Sequence, residues 1–565
     1  MNSAIYLAMR RMRAPLLALL ATYAISMIGM VLMPGVDAQG RPWHMSFFHA
    51  FYFLSYTATT IGFGETPYPF SDAQRLWAIV SIYLTVVSWL YAIGKILTLL
   101  QDPAFRQVVR SARFAHSVRR LSEPFYLVCG YGETGSLLVE SLDHLGCRSV
   151  VIDINLDRIN ELDLQDYQNY VPGLCADACP PEHLTDAGIT HPRCAGVIAL
   201  TNDDNANLSV AIAAKLLNPN IMVIARAESQ GVMTNMASFG TDHIINPFER
   251  FGEHLALAIN TPTLYLLYEW ITGVPDTPLM LPLYPPRGNW ILCGYGRFGK
   301  AVARNITHKA ITPTLIEADP TLTDCQDCIV GAGTDGDTLT AAGVKHAACI
   351  VAGTNDDITN LSIVMTAREL NPELFVVLRK NLRRNDPLFN AFGADFTMQP
   401  SNILAHECLA ILTTPLLSRF LALCRVQDND WGNQLISRLS AVIGETTPDN
   451  WDVHITPVRA PAICRQLIRK KQVRIKQLLC DPANRLDILA TLPLLLVRKQ
   501  RVMLLPDDDT TLKKGDQILF CGDAEAARRQ VLTLYNDNAL SYVLFGREAP
   551  GGSVWRWVER RRDNA

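Results

Sequence analysis

What this chain has little of narrows its function first. Net charge is only −3 over 565 residues, which excludes the strong basic excess of a nucleic-acid binder. There is no HExxH and no nucleophile elbow, so the chain offers no familiar start for an enzyme. Fourteen cysteines are present, yet CADAC (Cys175, Cys179) and CQDC (Cys325, Cys328) each lack a second ligand pair at zinc-finger spacing. They read as reduced, half-buried thiols of an intracellular region, not as metal ligands. Long apolar runs are confined almost entirely to the first hundred residues, although 49% of the chain is apolar.

Two of those runs are long enough to span a bilayer. Residues 14–34, APLLALLATYAISMIGMVLMP, carry no charge, and residues 76–100 are apolar as far as Lys95. The first is too long for a signal peptide and has no small-residue cleavage site. Arg10, Arg11 and Arg13 precede it, and Arg106, Arg110, Arg113, Arg119 and Arg120 follow the second. That asymmetry puts both termini in the cytoplasm of a multi-pass protein of the cell (inner) membrane.

The segment between the spans must then leave and return on the outer side. Residues 44–60, HMSFFHAFYFLSYTATT, are apolar but too short for a third crossing, and read as a re-entrant helix. It runs directly into TTIGFGE. Non-helical backbone at membrane depth is tolerated only when buried in protein or lining a water-filled path. Glycine takes positive φ without steric cost, so this loop can alternate its hand and turn successive carbonyls to one side. Four such loops around an axis make rings of oxygens that replace an ion's hydration shell.

TTIGFGE resembles the potassium-channel signature TTVGYGD. Carried over by position, the resemblance gives Thr60 a hydroxyl and carbonyl ligand, Ile61, Gly62 and Phe63 carbonyl ligands, and Gly64 the outer mouth. Tyr52 and Phe53 fall where the family places an aromatic cuff. Phe63 lacks the hydroxyl that tethers the filter, and Glu65 is longer than the usual acid. The family's hinge glycine would fall near Leu84 and Thr85 and is absent. Gly94, lower in the helix, is either the bend or a close-packing site.

Beyond Arg120 short β-like runs alternate with helical ones. FYLVCGYGETG leads a strand into Gly130, Gly132 and Gly135, and SVVIDIN ends a second strand at Asp153. NWILCGYGRFG repeats this with Gly294, Gly296 and Gly299, and PTLIEAD supplies Glu317. Strand, glycine loop, helix and a following acid make a dinucleotide-binding unit, with pyrophosphate at the helix N-terminus and the carboxylate on a ribose hydroxyl. The chain is duplicated: one constant offset relates Asn202 to Asn355, Pro219 to Pro372, Gly240 to Gly393 and Pro262 to Pro415. Candidate ligand residues in the first copy are Gly130, Tyr131, Gly132, Glu133, Thr134, Gly135, Asp153, Arg158, Asp177, Thr201 and Asn202. In the second they are Gly294, Gly296, Arg297, Gly299, Glu317, Asp335, Thr354 and Asn355. Asp203, Asp204, Asp356 and Asp357 read as helix-start residues or ligand neighbours. No catalytic constellation follows either unit, which sets aside a dehydrogenase.

The copies resemble the RCK domain, the regulator of potassium conductance, also found as the nucleotide-binding subunits of Trk and Ktr transport systems. GDQILFCG resembles the end of that family's small C-terminal lobe, with a turn at Gly515 and Asp516. The expected fold is membrane α joined to α/β: a pore domain at 1–105 with spans 14–35 and 76–100 around a pore helix and filter at 44–65, a linker at 106–120, Rossmann-like copies at 121–287 and 288–424, an α+β lobe at 425–545 and a basic tail at 546–565. The apolar stretches HLALAINTPTLYLLYEWITG and HECLAILTTPLLSRFLALC either join subunits, as in the family, or pack in their own cores. The resemblance implies a homotetrameric potassium channel, with K+ as permeant ion and eight RCK domains in a gating ring that binds NAD(H) or ADP/ATP. The alternative it leaves is a membrane-anchored nucleotide-binding regulatory subunit of a potassium transport system. Calcium-gated relatives carry two acids where this chain has ARAES; Arg226 beside Glu228 counts against calcium, Ca2+, as the ligand. By charge, Arg297 and Lys300 should draw ATP or ADP to the second glycine loop, while Glu133 and Ser136 leave the first to NAD.

Overall fold

The computed structural model describes residues 2–273, 278–279 and 282–546. The basic tail beyond Gly546 and much of the proline-rich linker VPDTPLMLPLYPP lie outside the described residues. Contacts divide the chain into two units, Met1–Ser122 with Thr185–His191, and the remainder.

In the first unit, helix Asn2–Leu32 contains an apolar stretch, Met12–Leu32, of mean hydropathy 2.0, and helix Asp72–Gln101 reaches 1.9. Both have the length and composition to cross a membrane. They pack through small and polar residues, as membrane helices do where apolar burial gives no driving force. A Cβ added at Gly29 would lie 2.0 Å from the Trp77 ring, the Trp77 indole donates to Ser26 O at 3.0 Å, and Thr22 Oγ1 meets Ser88 Oγ at 3.1 Å. The second long helix begins with a capping box between Ser71 and Gln74. Between the two, a small hairpin pairs Pro34–Val36 with Pro42–His44, and helix Phe47–Ala58 starts at Ser46, whose side chain accepts from His49 N. At 12 residues this helix cannot cross a bilayer. Phe53, Leu54 and Tyr56 bury it against Met30, Met45, Phe70 and Ala78. Most of the stretch expected as a linker is helix Pro103–Arg119, capped by the Asp102 carboxylate.

The second unit holds two six-stranded sheets with parallel pairing throughout. In the first copy the strands lie in the order Gly173–Cys175, Arg148–Asp153, Phe125–Cys129, Cys194–Ala199, Met222–Arg226, His243–Ile245. The second repeats it: Cys328–Val330, Thr314–Glu317, Trp290–Cys293, Cys349–Ala352, Phe375–Arg379, Phe396–Met398. This is the doubly wound 3-2-1-4-5-6 order, which puts a ligand crevice at the carboxyl end of the first strand. The continuous apolar runs FYLVC and WILC suit such strands, because helices cover both faces.

The apolar helices after each sheet cross over. Helix Pro247–Asn260 brings Phe248, Phe251, Leu255 and Ile259 into the core of the second copy, around Trp290 and Phe298. Helix Pro400–Thr413 places Leu404, Ala405, Cys408 and Ile411 in the core of the first. Neither packs only within its own copy: in this chain they join the two copies. Gly252 permits the approach, since a Cβ there would come 2.6 Å from Asn305 Nδ2. The next helices, Pro262–Thr272 and Pro415–Cys424, then share one core with helix Asn429–Ile443 and an antiparallel sheet ordered Asp449–His454, Gln517–Gly522, Thr491–Arg498, Arg501–Leu504. The expected turn at Gly515 has φ +90°, and buried Asp516 takes both ends of the Arg498 guanidinium at 2.8 and 2.7 Å.

Candidate functional site

The loop after helix Phe47–Ala58 alternates its hand. Thr60, Gly62 and Gly64 have φ of +64°, +69° and +92°, and Ile61 and Phe63 between them do not share that sign. A β-branched residue at positive φ is strained, so the surrounding bonds must hold Thr60 there. Its N–H donates to Thr57 O at 3.0 Å, while Ile61 N and Gly62 N both donate to Tyr56 O at 2.9 and 3.3 Å. Tyr56 was not singled out in the sequence, yet its hydroxyl donates to Gly64 O and lies 3.1 Å from Thr66 Oγ1. Its ring meets Phe63 edge-on at 5.4 Å. A hydroxyl from the preceding helix thus bonds the loop in which Phe63 has none. Phe53 is buried against Phe70, whereas Tyr52 is exposed in the single chain. Glu65 pairs with Arg75 at 2.9 Å and accepts from Phe70 N. Helix Asp72–Gln101 runs unbroken through Gly94, where an added Cβ would meet nothing within 4 Å.

In the first copy the strand Phe125–Cys129 ends at Gly130, φ +103°, whose N–H donates to Ile152 O. Helix Glu133–His144 follows, with Gly132 at its N-cap. A Cβ at Gly135 would sit 2.0 Å from Gly130 O, so this glycine sets how closely helix and loop approach. The buried Asp153 carboxylate accepts from Tyr131 N at 2.6 Å and Asn155 N at 2.7 Å, and Arg158 Nη1 lies 3.3 Å away. Arg158 also covers Gly132, its Nη1 3.5 Å from where a Cβ would be. The structure therefore brings Gly130, Tyr131, Gly132, Glu133, Thr134, Gly135, Asp153 and Arg158 together, with Thr201 against Gly130. Asn202 instead accepts from Arg226 Nη1 at 2.8 Å. Asp177 is engaged in its own loop, where the Cys179 backbone N–H lowers its pKa.

The second copy repeats the scaffold. Gly294 has φ +90°, a Cβ at Gly299 would lie 2.1 Å from Gly294 O, and Glu317 accepts from Tyr295 N at 2.6 Å and Asp319 N at 3.1 Å. Asp335 caps helix Gly336–Ala341, and its Thr338 bonds lower its pKa. Asn355 is exposed on the loop after the fourth strand. Here the middle glycine, Gly296, is open: an added Cβ meets nothing within 4 Å.

The cations expected at this loop have partners in the protein itself. Arg297 is not a free cation, because its Nη1 lies 2.7 Å from Glu228 Oε2 of the first copy. Lys300 sits over the Tyr295 ring at 5.7 Å. Glu228 is almost fully buried and is also held by Arg226, an environment set against a divalent cation. Among the described residues no group of three or more His, Cys, Asp or Glu side chains is placed to hold a metal. Nearby Arg379 stacks on Phe248 and Phe298 at 4.8 and 5.4 Å, and burial pushes its pKa down to about 10.

The TNDD repeats work as knots. Asp203 and Asp356 are N-caps of helices Asp204–Leu217 and Asp357–Leu370. Asp204 accepts from Glu228 N and Ser229 N, and Asp357 from Asn381 N and Leu382 N. Fully buried Asn207 accepts from Thr201 N and Oγ1 and donates to Thr201 O and Arg226 O; Asn360 does the same with Thr354 and Arg379 O. These asparagines were missed, although their identity at the same offset was the available signal.

Comparison with known proteins agrees with this division. An ion-channel family model matches residues 17–102, and the TrkA-N domain matches twice, at 126–247 and 290–400. Potassium channel protein 1 of Methanocaldococcus jannaschii is 28% identical over 232 residues, 41% of this chain and 68% of that protein. Probable potassium channel protein 2 of the same organism is 26% identical, covering 38% and 60%. The voltage-gated potassium channel Kch of Escherichia coli is 27% identical, covering 37% and 49%. Among solved structures, the GsuK channel aligns over 94% of this chain and 99% of that one at 18% identity and a TM-score of 0.46. The GsuK channel bound to NAD gives 94%, 98%, 17% and 0.45. The chain thus carries an ion-channel domain followed by two TrkA-N domains and is homologous to potassium channel proteins.

Proposed function

We propose that this chain is one subunit of a homotetrameric potassium-selective channel whose pore is gated by nucleotide binding to its TrkA-N copies. The observation that carries the reading is the alternating hand at Thr60, Gly62 and Gly64, set at the end of a half-crossing helix between two span-length helices. In a fourfold arrangement the carbonyls of residues 60–63 form rings that replace water around K+. Both termini lie in the cytoplasm, as the arginine asymmetry favours. The eight TrkA-N copies then form a cytoplasmic ring, and a ligand shifts the gate only to the extent that it binds the open and closed rings unequally.

The glycine loops suit an adenine nucleotide, NAD(H) or ADP/ATP. At the first loop a free ribose diol is favoured, since a 2′-phosphate would face the buried Asp153 carboxylate. Purified protein in planar bilayers tests the whole reading, with calcium, NAD, NADH, ADP and ATP added in turn. Bi-ionic reversal potentials should lie far from zero in favour of K+ over Na+. A conducting protein with reversal near zero would overturn the selectivity, and a ligand-insensitive K+ current would overturn the gating.

A further inference from the structure

The two glycine loops reach across the boundary between the copies in the same way but with opposite charge. The residue after the middle glycine is Glu133 in the first copy and Arg297 in the second. Glu133 Oε2 accepts from the backbone N–H of Arg383, after the fifth strand of the second copy, at 3.2 Å. Arg297 pairs with Glu228, after the fifth strand of the first copy.

The partners in the second contact are unequally fixed. The Glu228 side chain is 3% exposed, that of Arg297 is 64% exposed. Arg226 holds Glu228 Oε1 from below, and the Asp204 carboxylate holds its backbone N–H at 3.0 Å. Arg297 stands on the first residue of helix Arg297–Thr307, beside the open face of Gly296. If Arg297 turns away, Arg226 still pairs with the carboxylate through Oε1, so the charge is not left alone, and the loss falls on the buried Oε2, which has no hydrogen-bond partner. Guanidinium also binds phosphate in the bidentate geometry it uses for carboxylate.

Resting on the reading that the second loop takes nucleotide phosphates, we propose that Arg297 and Glu228 form an ion pair that ligand breaks. The phosphate of a nucleotide at Gly294–Gly299 competes with Glu228 for the Arg297 guanidinium. Occupancy of the second copy thereby loosens its attachment to the first. The first loop has no counterpart, because Glu133 repels the same phosphate.

The experiment is ADP binding by calorimetry to the full chain in detergent, comparing wild type with Gly296→Val, Glu228→Gln, Arg297→Gln and the Glu228→Gln/Arg297→Gln double variant. Gly296→Val, which fills open space, identifies the second-loop component by removing it. That component should tighten about twofold to fivefold in Glu228→Gln, the range expected for releasing a half-exposed ion pair, and weaken in Arg297→Gln. Glu228→Gln should have no effect once Arg297 is gone. Unchanged or weaker binding in Glu228→Gln, with the Gly296→Val component intact, overturns the competition. Arg297→Gln changes a side chain that is itself 64% exposed, so wild-type affinity in that variant overturns it even where Glu228→Gln fails to fold. If Gly296→Val removes no component, the second loop is not a nucleotide site and both readings fall together.

Discussion

Glycine serves opposite ends in the two halves of this molecule. At Gly62 and Gly64 an added Cβ would meet nothing within 4 Å, but φ is +69° and +92°. At Gly135 and Gly299 neither backbone has positive φ, yet a Cβ would lie 2.0 or 2.1 Å from a carbonyl oxygen. The 60–64 loop needs a backbone hand alone; the loops of the duplicated copies need one at Gly130 and Gly294, φ +103° and +90°, and room at Gly135 and Gly299. Both are written GxG. Only what surrounds the pattern tells the two apart: a short apolar helix precedes the first, a buried strand the second.

The largest effect should come from the handed class. Gly62→Ala places a side chain in left-handed backbone at roughly 1–2 kcal/mol per residue, repeated in each subunit of the proposed channel. K+ current in bilayers should vanish, while ADP binding and unfolding of the duplicated copies stay as in wild type. Normal current would show that Gly62 is not held to that hand when the pore conducts.

The sequence exposed patterns and hid partners. TTIGFGE, the two glycine loops and the repeat offset were legible because each lies in a short contiguous stretch. Tyr56 was not, because its hydroxyl reaches forward to Gly64 and Thr66 from inside a helix whose pattern reports only apolar burial. The pairing of Arg297 with Glu228 was hidden for a larger reason. It exists because helices Pro247–Asn260 and Pro400–Thr413 cross to the opposite copies, and an apolar face reads the same whichever core receives it. Arg297 therefore looked like a loose cation, whereas Glu228 of the other copy already competes for it.

The steric class should respond next. Gly135→Ala and Gly299→Ala force helix and loop apart, and overpacking of this kind costs about 1–3 kcal/mol. The two losses should match within error in urea unfolding of the full chain, and neither should change K+/Na+ selectivity. A large loss in one copy alone would show that the shared scaffold is not equally strained.

A smaller change tests the tether. Tyr56→Phe keeps the ring on Phe63 but removes the hydroxyl from Gly64 O and Thr66, a loss of about 0.5–1.5 kcal/mol for such a bond. The variant should still select K+ but lose steady-state current faster at low K+. If its currents match wild type, the hydroxyl does not steady the filter.

The smallest effect on the fold belongs to a third kind of glycine. Gly296 has φ −69° and open space around it, so neither hand nor packing explains it. Gly132 has φ −88°, and a Cβ there would make only ordinary contact with Arg158 at 3.5 Å. Alanine at either position should shift stability by no more than about 0.5 kcal/mol. Both are helix N-caps, where glycine is tolerated better than alanine, and a nucleotide site would also use them for the approach of a ligand's phosphate to the loop N–H groups. Alanine at 296 should then weaken ADP binding about tenfold, the loss of one hydrogen bond to a charged group. The same change at 132 makes only ordinary contact with Arg158, so its ligand loss should be of similar size. If both alanine variants fold and bind as wild type, these glycines are not reserved for a ligand. The contrast with Gly62 would then be one of structure alone, and the nucleotide would have to be sought elsewhere in the unit.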